Sequence, residues 1–171
     1  MLLYEGHSMH VGIILGSRSQ WSTMQHSAKL LAQLGIAYEA RIITTNKSTK
    51  QLHEYASNAS NRGLEIIIAG SSGEAYLPGI IASKTEVPVV GIQMNRSSKK
   101  ENICYSISDE NIDNTIRMSN TGPEGAVNAA LFVANMLAKK YPKIHEKLTR
   151  YHNQNNLEKL VQENVRHAAN H

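Results

Sequence analysis

The sequence predicts an α/β domain built on a parallel β-sheet with helices on both faces. Short apolar runs, such as residues 11–15 and 64–69, have the length and composition of buried strands. Longer segments in which apolar residues recur at helical spacing lie between these runs. Strands that alternate with helices form right-handed βαβ crossovers, and these crossovers produce a parallel sheet. The chain of 171 residues is expected to form one domain, 1–171, with a core over 9–141 and a helical extension over 142–171.

Each predicted strand is short, apolar and bounded by turn residues. The predicted strands cover residues 11–15, 37–43, 64–69, 87–92 and 115–118. The predicted helices cover residues 21–34, 50–61, a short segment ending near 84, a segment around 103–107, 126–140, 143–154 and 157–167. In the first helix an apolar face predicts burial of Trp21, Met24, Ala28, Leu31 and Leu34.

Turns rich in small residues follow the first three strands, at 16–19, 44–48 and 70–73. Because the carboxyl ends of parallel strands meet at one edge of the sheet, we expect these turns to form one site. Their backbone N–H groups and hydroxyls, with the positive end of a helix dipole, suit a phosphate group. Small residues could also stand there for steric reasons alone. The pattern indicates a flavodoxin- or Rossmann-like domain with a site for a small phosphorylated ligand.

Composition excludes several other classes of function. No apolar run reaches membrane-spanning length, and residues 1–9 lack the pattern of a signal peptide. The net charge of +4 is too small and too dispersed to indicate binding of nucleic acid. The eight histidines show no metal-ligand spacing, so we expect no metal site. A single cysteine, Cys104, favours a reducing compartment and hence the cytoplasm, and no membrane partner is expected.

Several motifs, at the right spacing, carry a resemblance to a known family. The matching segments include Gly16-Ser17-x-Ser19-x-Trp21-x-x-Met24, Gly73-x-Ala75-x-Leu77-Pro78-Gly79 and Gly125-Ala126-x-Asn128-Ala129-Ala130-Leu131. They resemble the catalytic subunit of phosphoribosylaminoimidazole carboxylase and its relative, carboxyaminoimidazole ribonucleotide mutase. The resemblance covers about residues 11–138.

This resemblance implies a fold, a reaction and an assembly. The fold is a three-layer αβα sandwich, assembled as a homo-octamer or homo-tetramer. The reaction belongs to purine biosynthesis and places a carboxyl group on the imidazole carbon of aminoimidazole ribonucleotide. The carboxylase, a lyase, takes carbon dioxide directly, whereas the mutase, an isomerase, takes the group from the exocyclic nitrogen. The resemblance implies no metal or organic cofactor and a small phosphorylated ribonucleotide as partner.

The resemblance also assigns roles to individual residues. Gly16, Ser17 and Ser19 are expected to hold the ribose phosphate, and residues 70–73 to line the pocket for the base and carbon dioxide. Arg18 and Lys47 could jointly bind phosphate or be solvated charges. The residues expected to bind substrate are Gly16, Ser17, Arg18, Ser19, Gln20, Lys47, Gly70, Ser71, Ser72, Gly73 and Leu77.

The chain departs from the family pattern at the positions expected to move protons. Asn46 and Tyr76 stand where the family has histidines, and Glu74 replaces a small residue. An amide cannot accept a proton at neutral pH, whereas an imidazole titrates there. Asn46 could be a plain turn residue or a ligand contact, and Tyr76 could be a packing replacement or a catalytic phenol. Glu74 could be a new base, could repel a carboxylated ligand, or could point to solvent.

Two further replacements fall in the same turns: Gln20 stands where the family has an aspartate that would grip ribose hydroxyls, and Lys47 replaces an arginine. Three hypotheses follow from these departures. The chain is a family enzyme with a rearranged proton relay, a divergent paralogue acting on another phosphorylated ligand, or a non-catalytic nucleotide-binding protein. The candidate catalytic residues are Asn46, Glu74 and Tyr76.

Overall fold

The computed structural model of the chain describes residues 10–44, 49–71, 77–94, 115–117 and 120–169. Within these ranges strands and helices alternate. The strands are β1 (Val11–Leu15), β2 (Tyr38–Ile42), β3 (Ile66–Ser71), β4 (Val89–Gln93) and β5 (Thr115–Arg117). The helices are α1 (Trp21–Gln33), α2 (Thr49–Ser57), α3 (Leu77–Ala82), α4 (Gly122–Ala138) and α5 (Pro142–Ala169), and a 3₁₀ turn (Arg18–Gln20) leads into α1.

The five described strands form one parallel sheet in the order β2-β1-β3-β4-β5. The central strand β1 pairs with β2 on one side and β3 on the other, so that Val11 lies opposite both Tyr38 and Ile66. This order is that of flavodoxin-like folds, in which the chain changes direction of winding between β1 and β3. The predicted parallel α/β fold is confirmed, and its topological switch point lies beside β1.

Helices cover both faces of the sheet. Successive residues of β1 point to opposite faces, so Ile13 belongs to one core and Ile14 to the other. The first core contains apolar side chains of α1, α4 and α5, and the second contains those of α2 and α3. Ile144 and Leu148 of α5 are buried in the first core, so α5 packs onto the domain. The three-layer αβα sandwich is therefore present.

Three expectations about the helices were wrong. Trp21 is 41% exposed because it is the first residue of α1 and lies beyond the core, at the sheet edge. Helix α4 begins at Gly122 and not at residue 126, since Pro123 lies in the first turn, where an N–H group is not needed. The segments 143–154 and 157–167 are one helix, α5, which begins at Pro142. The helix expected around 103–107 lies outside the described residues.

A polar cluster fastens the amino edge of the sheet, opposite the expected ligand edge. Glu65, which precedes β3, accepts hydrogen bonds from Lys140 (2.9 Å) and from the Tyr141 hydroxyl. The His10 ring, just before β1, lies 2.7 Å from the same carboxylate. Burial raises the pKa of Glu65, but the hydrogen bonds from Lys140, Tyr141 and His10 outweigh it, so the pKa lies below its usual range.

The lowered pKa of Glu65 predicts how the stability of the folded chain depends on pH. The Glu65 carboxylate contributes fully to the free energy of unfolding above the pKa of an unfolded glutamate, about 4.3. This contribution is lost as the pH falls through the lower pKa of the folded state. Glu65→Gln is expected to lower the free energy of unfolding by about 1–2 kcal/mol at neutral pH and to flatten its decline in acid. Urea unfolding at several pH values measures both effects. Glu146→Gln, in an exposed pair on α5, is the matched control, and an equal loss in the control would contradict the prediction.

None of the helices in the described part of the chain is both long enough and apolar enough to span a membrane.

Candidate ligand-binding site

The first predicted turn lies at the carboxyl end of β1, directly at the switch point. Ser17 has an extended backbone, and the 3₁₀ turn that follows runs without a break into α1. The hydroxyls of Ser17 and Ser19 lie 2.8 Å apart at the surface, and Arg18 between them is exposed. Ser22 of α1 donates a hydrogen bond to the carbonyl of Ser19 (3.0 Å), which holds the turn against the helix.

The electrostatics of this turn favour an anion. The first N–H groups of a helix have no partner within the helix, and its dipole places positive partial charge at that end. The exposed Arg18, which stands between Ser17 and Ser19 in the sequence, adds a full positive charge to this turn, and the two serines add hydroxyl groups. The turn therefore has the chemistry that the sequence predicted for a phosphate site, and its role as one stays a prediction.

The fold brings four of the predicted site residues together. The buried Gln20 side chain accepts a hydrogen bond from the Gly16 N–H (2.8 Å) through Oε1. The same oxygen would lie 3.2 Å from a Cβ placed on Gly70, and Leu77 Cδ2 would lie 3.8 Å from a Cβ placed on Gly16. The turn after β1, the end of β3 and the start of α3 thus meet at one point of the sheet edge.

The third predicted turn starts later than expected. Gly70 and Ser71 continue β3, where they pair with Ile92 and Gln93 of β4. The first two residues of the predicted turn therefore belong to the strand, because both continue its pairing with β4. The remaining predicted site residues lie outside the described residues, namely Asn46, Lys47, Ser72, Gly73, Glu74 and Tyr76.

Sequence reasoning missed two residues at this edge. Met94, directly after β4, is buried, and its Cε lies 2.5 Å from the position of a Cβ on Gly70. Gly122, at the start of α4, has φ +64°, and its Cβ position is 3.8 Å from the Met94 carbonyl oxygen. The signal for Met94 was its place just beyond the predicted end of β4, at the same edge. The amino terminus of α4 therefore reaches the edge beside β4.

A second concave surface lies away from this edge, between β2 and α2. The charged side chains there contact one another and one aromatic ring. The guanidinium groups of Arg41 and Arg62 lie over the Tyr55 ring, 5.6 and 5.1 Å from its centroid. Glu39 bonds both guanidinium groups, and burial together with Glu39 raises the pKa of Tyr55 well above its usual range. None of the predicted site residues that the structure describes lines this surface.

Among the described residues, no group of three or more histidine, cysteine, aspartate and glutamate side chains could hold a metal ion. The described part of the site offers hydroxyl, amide and guanidinium groups, which bind anions by hydrogen bonding and charge. Its chemistry is therefore that of binding and orienting a ligand.

Comparison with known proteins identifies the family. The sequence model of the AIR carboxylase family matches residues 10–158, where AIR is aminoimidazole ribonucleotide. The N5-carboxyaminoimidazole ribonucleotide mutase of Pseudomonas aeruginosa is 41% identical over 143 residues, which are 82% of this chain and 87% of that protein. The mutase of Pyrococcus abyssi is 40% identical over 141 residues, which are 82% of this chain and 80% of that protein.

Solved structures agree on the fold. A variant of Treponema denticola PurE2 superposes with a TM-score of 0.75 at 18% identity, covering 91% of this chain and 96% of that chain. Treponema denticola PurE gives a TM-score of 0.71 at 21% identity, with the same coverage of both chains. The family resemblance drawn from the motifs is confirmed by the family match and by the sequence relatives. The chain belongs to the AIR carboxylase family.

Proposed function

We propose that this chain binds aminoimidazole ribonucleotide, or its N-carboxylated form, and places a carboxyl group on the imidazole carbon in purine biosynthesis. The proposal rests mainly on the first turn. The chain belongs to the AIR carboxylase family, and its paired Ser17 and Ser19 hydroxyls lie with Arg18 at the switch point of the sheet. Relatives about 40% identical are named N5-carboxyaminoimidazole ribonucleotide mutases, which supports the choice of substrate.

The binding step follows from the described residues. The phosphate of the nucleotide is bound by the hydroxyls of Ser17 and Ser19 and by Arg18, at the positive end of α1. Gly70 lies near the end of β3, beside Gln20 of the first turn, so the base is placed along the carboxyl end of β3. The base then lies toward the connection 72–76, which joins β3 to α3 and carries Glu74 and Tyr76.

The reaction needs no electron acceptor, and in the mutase direction the proton lost by the imidazole carbon balances the proton taken up by the exocyclic nitrogen. In the mutase direction the bond between the exocyclic nitrogen and the carboxyl carbon breaks, and that nitrogen takes up a proton. A bond forms between the same carboxyl carbon and the imidazole carbon, which then loses its own proton. In the carboxylase direction carbon dioxide enters directly, and the imidazole carbon again loses a proton to a base.

Glu74 is the proposed acceptor of that proton. An asparagine amide such as Asn46 cannot take a proton at neutral pH, and a phenol such as Tyr76, with an ordinary pKa near 10, is a poor base. A carboxylate is ionised at neutral pH and is a common general base in enzymes. Replacement of both histidines also favours a second candidate, a protein that binds the nucleotide without turnover.

Calorimetric titration with aminoimidazole ribonucleotide, followed by NMR in deuterated water, tests the proposal. The expected result is saturable binding together with exchange of the proton on the reactive imidazole carbon. Binding without exchange would support the binding-only candidate, and no binding would contradict both. The unphosphorylated riboside is the control, and it should bind about 100-fold more weakly because it lacks the group that the first turn binds.

The proposal includes a homo-octamer or homo-tetramer in the cytoplasm. The family resemblance supports the assembly, and the single cysteine supports a reducing compartment. Sedimentation equilibrium of the purified protein distinguishes the two assemblies from a monomer.

A further inference from the structure

The second concave surface, which we call the β2–α2 cleft, is large enough to hold a small organic molecule. Residues 41–43 line it on one side, and on the other side it is lined by side chains of α2 and the turns after it, among them Gln51, Tyr55, Asn58 and Arg62. Its volume of about 630 Å³ lies within the usual range for ligand pockets, about 300–1,000 Å³. The buried Ile43 and Tyr55 belong to the second core, so the walls of the cleft are part of the packed domain.

Two guanidinium groups share one carboxylate in this cleft. Glu39 accepts hydrogen bonds from Arg41 Nε (3.3 Å) and from Arg62 Nη2 (2.5 Å). Since two positive charges meet one negative charge, this group of three side chains keeps a net positive charge. Within the described ranges Arg41 donates through Nε alone, and its side chain is 54% exposed, so its two Nη groups are open to a ligand. Guanidinium N–H groups in this fork match the oxygens of a phosphate or a carboxylate.

An apolar side chain and two amides lie in the same cleft. Ile42, next to Arg41, is 47% exposed and offers a flat ring an apolar surface to cover. Gln51 is exposed in the first turn of α2, and its amide carries both a donor and an acceptor, which suits the edge of a nucleobase. Asn58 uses its N–H group on the Glu54 backbone carbonyl (2.9 Å) and keeps its Oδ1 as an acceptor for a hydroxyl.

The Glu54 side chain, which also lines the cleft, has a partner of opposite charge. Its carboxylate lies 4.0 Å from Lys50 Nζ, and Lys50 is one turn nearer the start of α2. The Glu54 carboxylate is therefore directed away from Arg62, and the arginine end of the cleft remains favourable for an anion.

We propose that the β2–α2 cleft is a second binding site, which takes a nucleoside monophosphate. The phosphate is bound at Arg41 beside Arg62, the ribose lies near Asn58, and the base covers Ile42 and is hydrogen-bonded by Gln51. The site is separate from the first turn, so it does not rest on the proposed function.

Titration of the ¹⁵N-labelled protein with adenosine monophosphate, followed by NMR, tests the site. The expected result is saturable shifts of the Arg41 Nε–H signal and of the Gln51 and Asn58 side-chain amide signals. Adenosine and inorganic phosphate, titrated separately, should each bind about 10-fold more weakly or worse, because each lacks part of the contacts. Unchanged signals of these three side chains at millimolar adenosine monophosphate would overturn the proposal.

Substitutions assign the two ends of the ligand. Arg41→Gln leaves Arg62 bonded to Glu39, and it should weaken adenosine monophosphate by about 10-fold because a charged donor is lost. Gln51→Ala should weaken adenosine monophosphate by about 3-fold and leave inorganic phosphate unchanged. Arg150→Gln is the matched control, since it removes an exposed arginine paired with a glutamate on α5, and it should bind like the wild type. Wild-type affinity in both cleft variants would overturn the assignment.

The same titrations separate this site from the proposed function. Shifts confined to Ser17–Ser19, with the cleft signals unchanged, would place the ligand at the first turn and overturn the second site. If aminoimidazole ribonucleotide does not bind, the proposed function fails, while the signals of Arg41, Gln51 and Asn58 still decide whether the cleft binds adenosine monophosphate.

Discussion

Replacing Glu74 with glutamine is expected to lower the rate of carboxyl transfer by about 100- to 10,000-fold, the range that general acid–base groups contribute. Glutamine has nearly the same size and still forms hydrogen bonds, but it cannot accept the proton that leaves the imidazole carbon. The position of Glu74 in the connection between β3 and α3 supports this role, because both ends of that connection are at the edge that carries the first turn.

The expected change is in kcat and not in binding. Affinity for the carboxylated nucleotide should be unchanged or higher in Glu74→Gln, since the variant removes a negative charge near a negatively charged ligand. Steady-state kinetics and calorimetry measure the two quantities separately. Glu86→Gln, an exposed glutamate between α3 and β4, is the matched control and should behave like the wild type. An unchanged kcat in Glu74→Gln would assign the proton to another group.

Gly125→Val is expected to lower the free energy of unfolding by about 3 kcal/mol. A Cβ on this residue of α4 would overlap the backbone carbonyl of Asn120 and lie 3.2 Å from Ile92 Cγ2 on β4. Backbone atoms cannot rotate away as the end of a flexible side chain can, so the helix must shift from the sheet. The gain in helix propensity when glycine is replaced is below about 1 kcal/mol and does not offset the overlap.

Chemical denaturation followed by circular dichroism measures this loss. Asn128→Val introduces the same side chain at an exposed position of the same helix, and it should change stability by less than about 0.5 kcal/mol because asparagine and valine have similar propensities. A denaturation midpoint of Gly125→Val equal to that of the wild type would show that α4 can move from β4 without loss.

The elements of the fold were predictable from local pattern, but their arrangement was only partly so. The strand 11–15 and the apolar face of α1 were recognisable because their periods are set by neighbours a few residues away. Trp21 fits the same helical period and is nevertheless exposed, since periodicity does not say where along its axis a helix leaves the core. The strand order also depends on long-range packing, which no local window contains.

The same limit applies to the site. The small-residue turn after β1 was predictable because a strand, a turn and a helix follow each other directly in the sequence. The approach of Gln20 to Gly70 joins positions fifty residues apart, and the approach of Met94 to Gly70 joins positions 24 residues apart. Gln20 was therefore predicted as a ligand contact, while its hydrogen bond to the Gly16 N–H could be found only in the folded chain.

The cluster around Glu65 has a consequence for how this protein can evolve. It ties the entry to β1, the entry to β3 and the junction of α4 and α5 at the edge of the sheet opposite the first turn. Stability that resides there is independent of the residues at the opposite edge. The segments after β2 and β3 can then change in sequence while the scaffold persists, and Asn46 and Tyr76, where the sequence departs from the family pattern, lie in these segments. Because the Glu65 cluster and these turns lie at opposite edges of the sheet, this chain is a suitable starting point for engineering new activities by changing the turns alone.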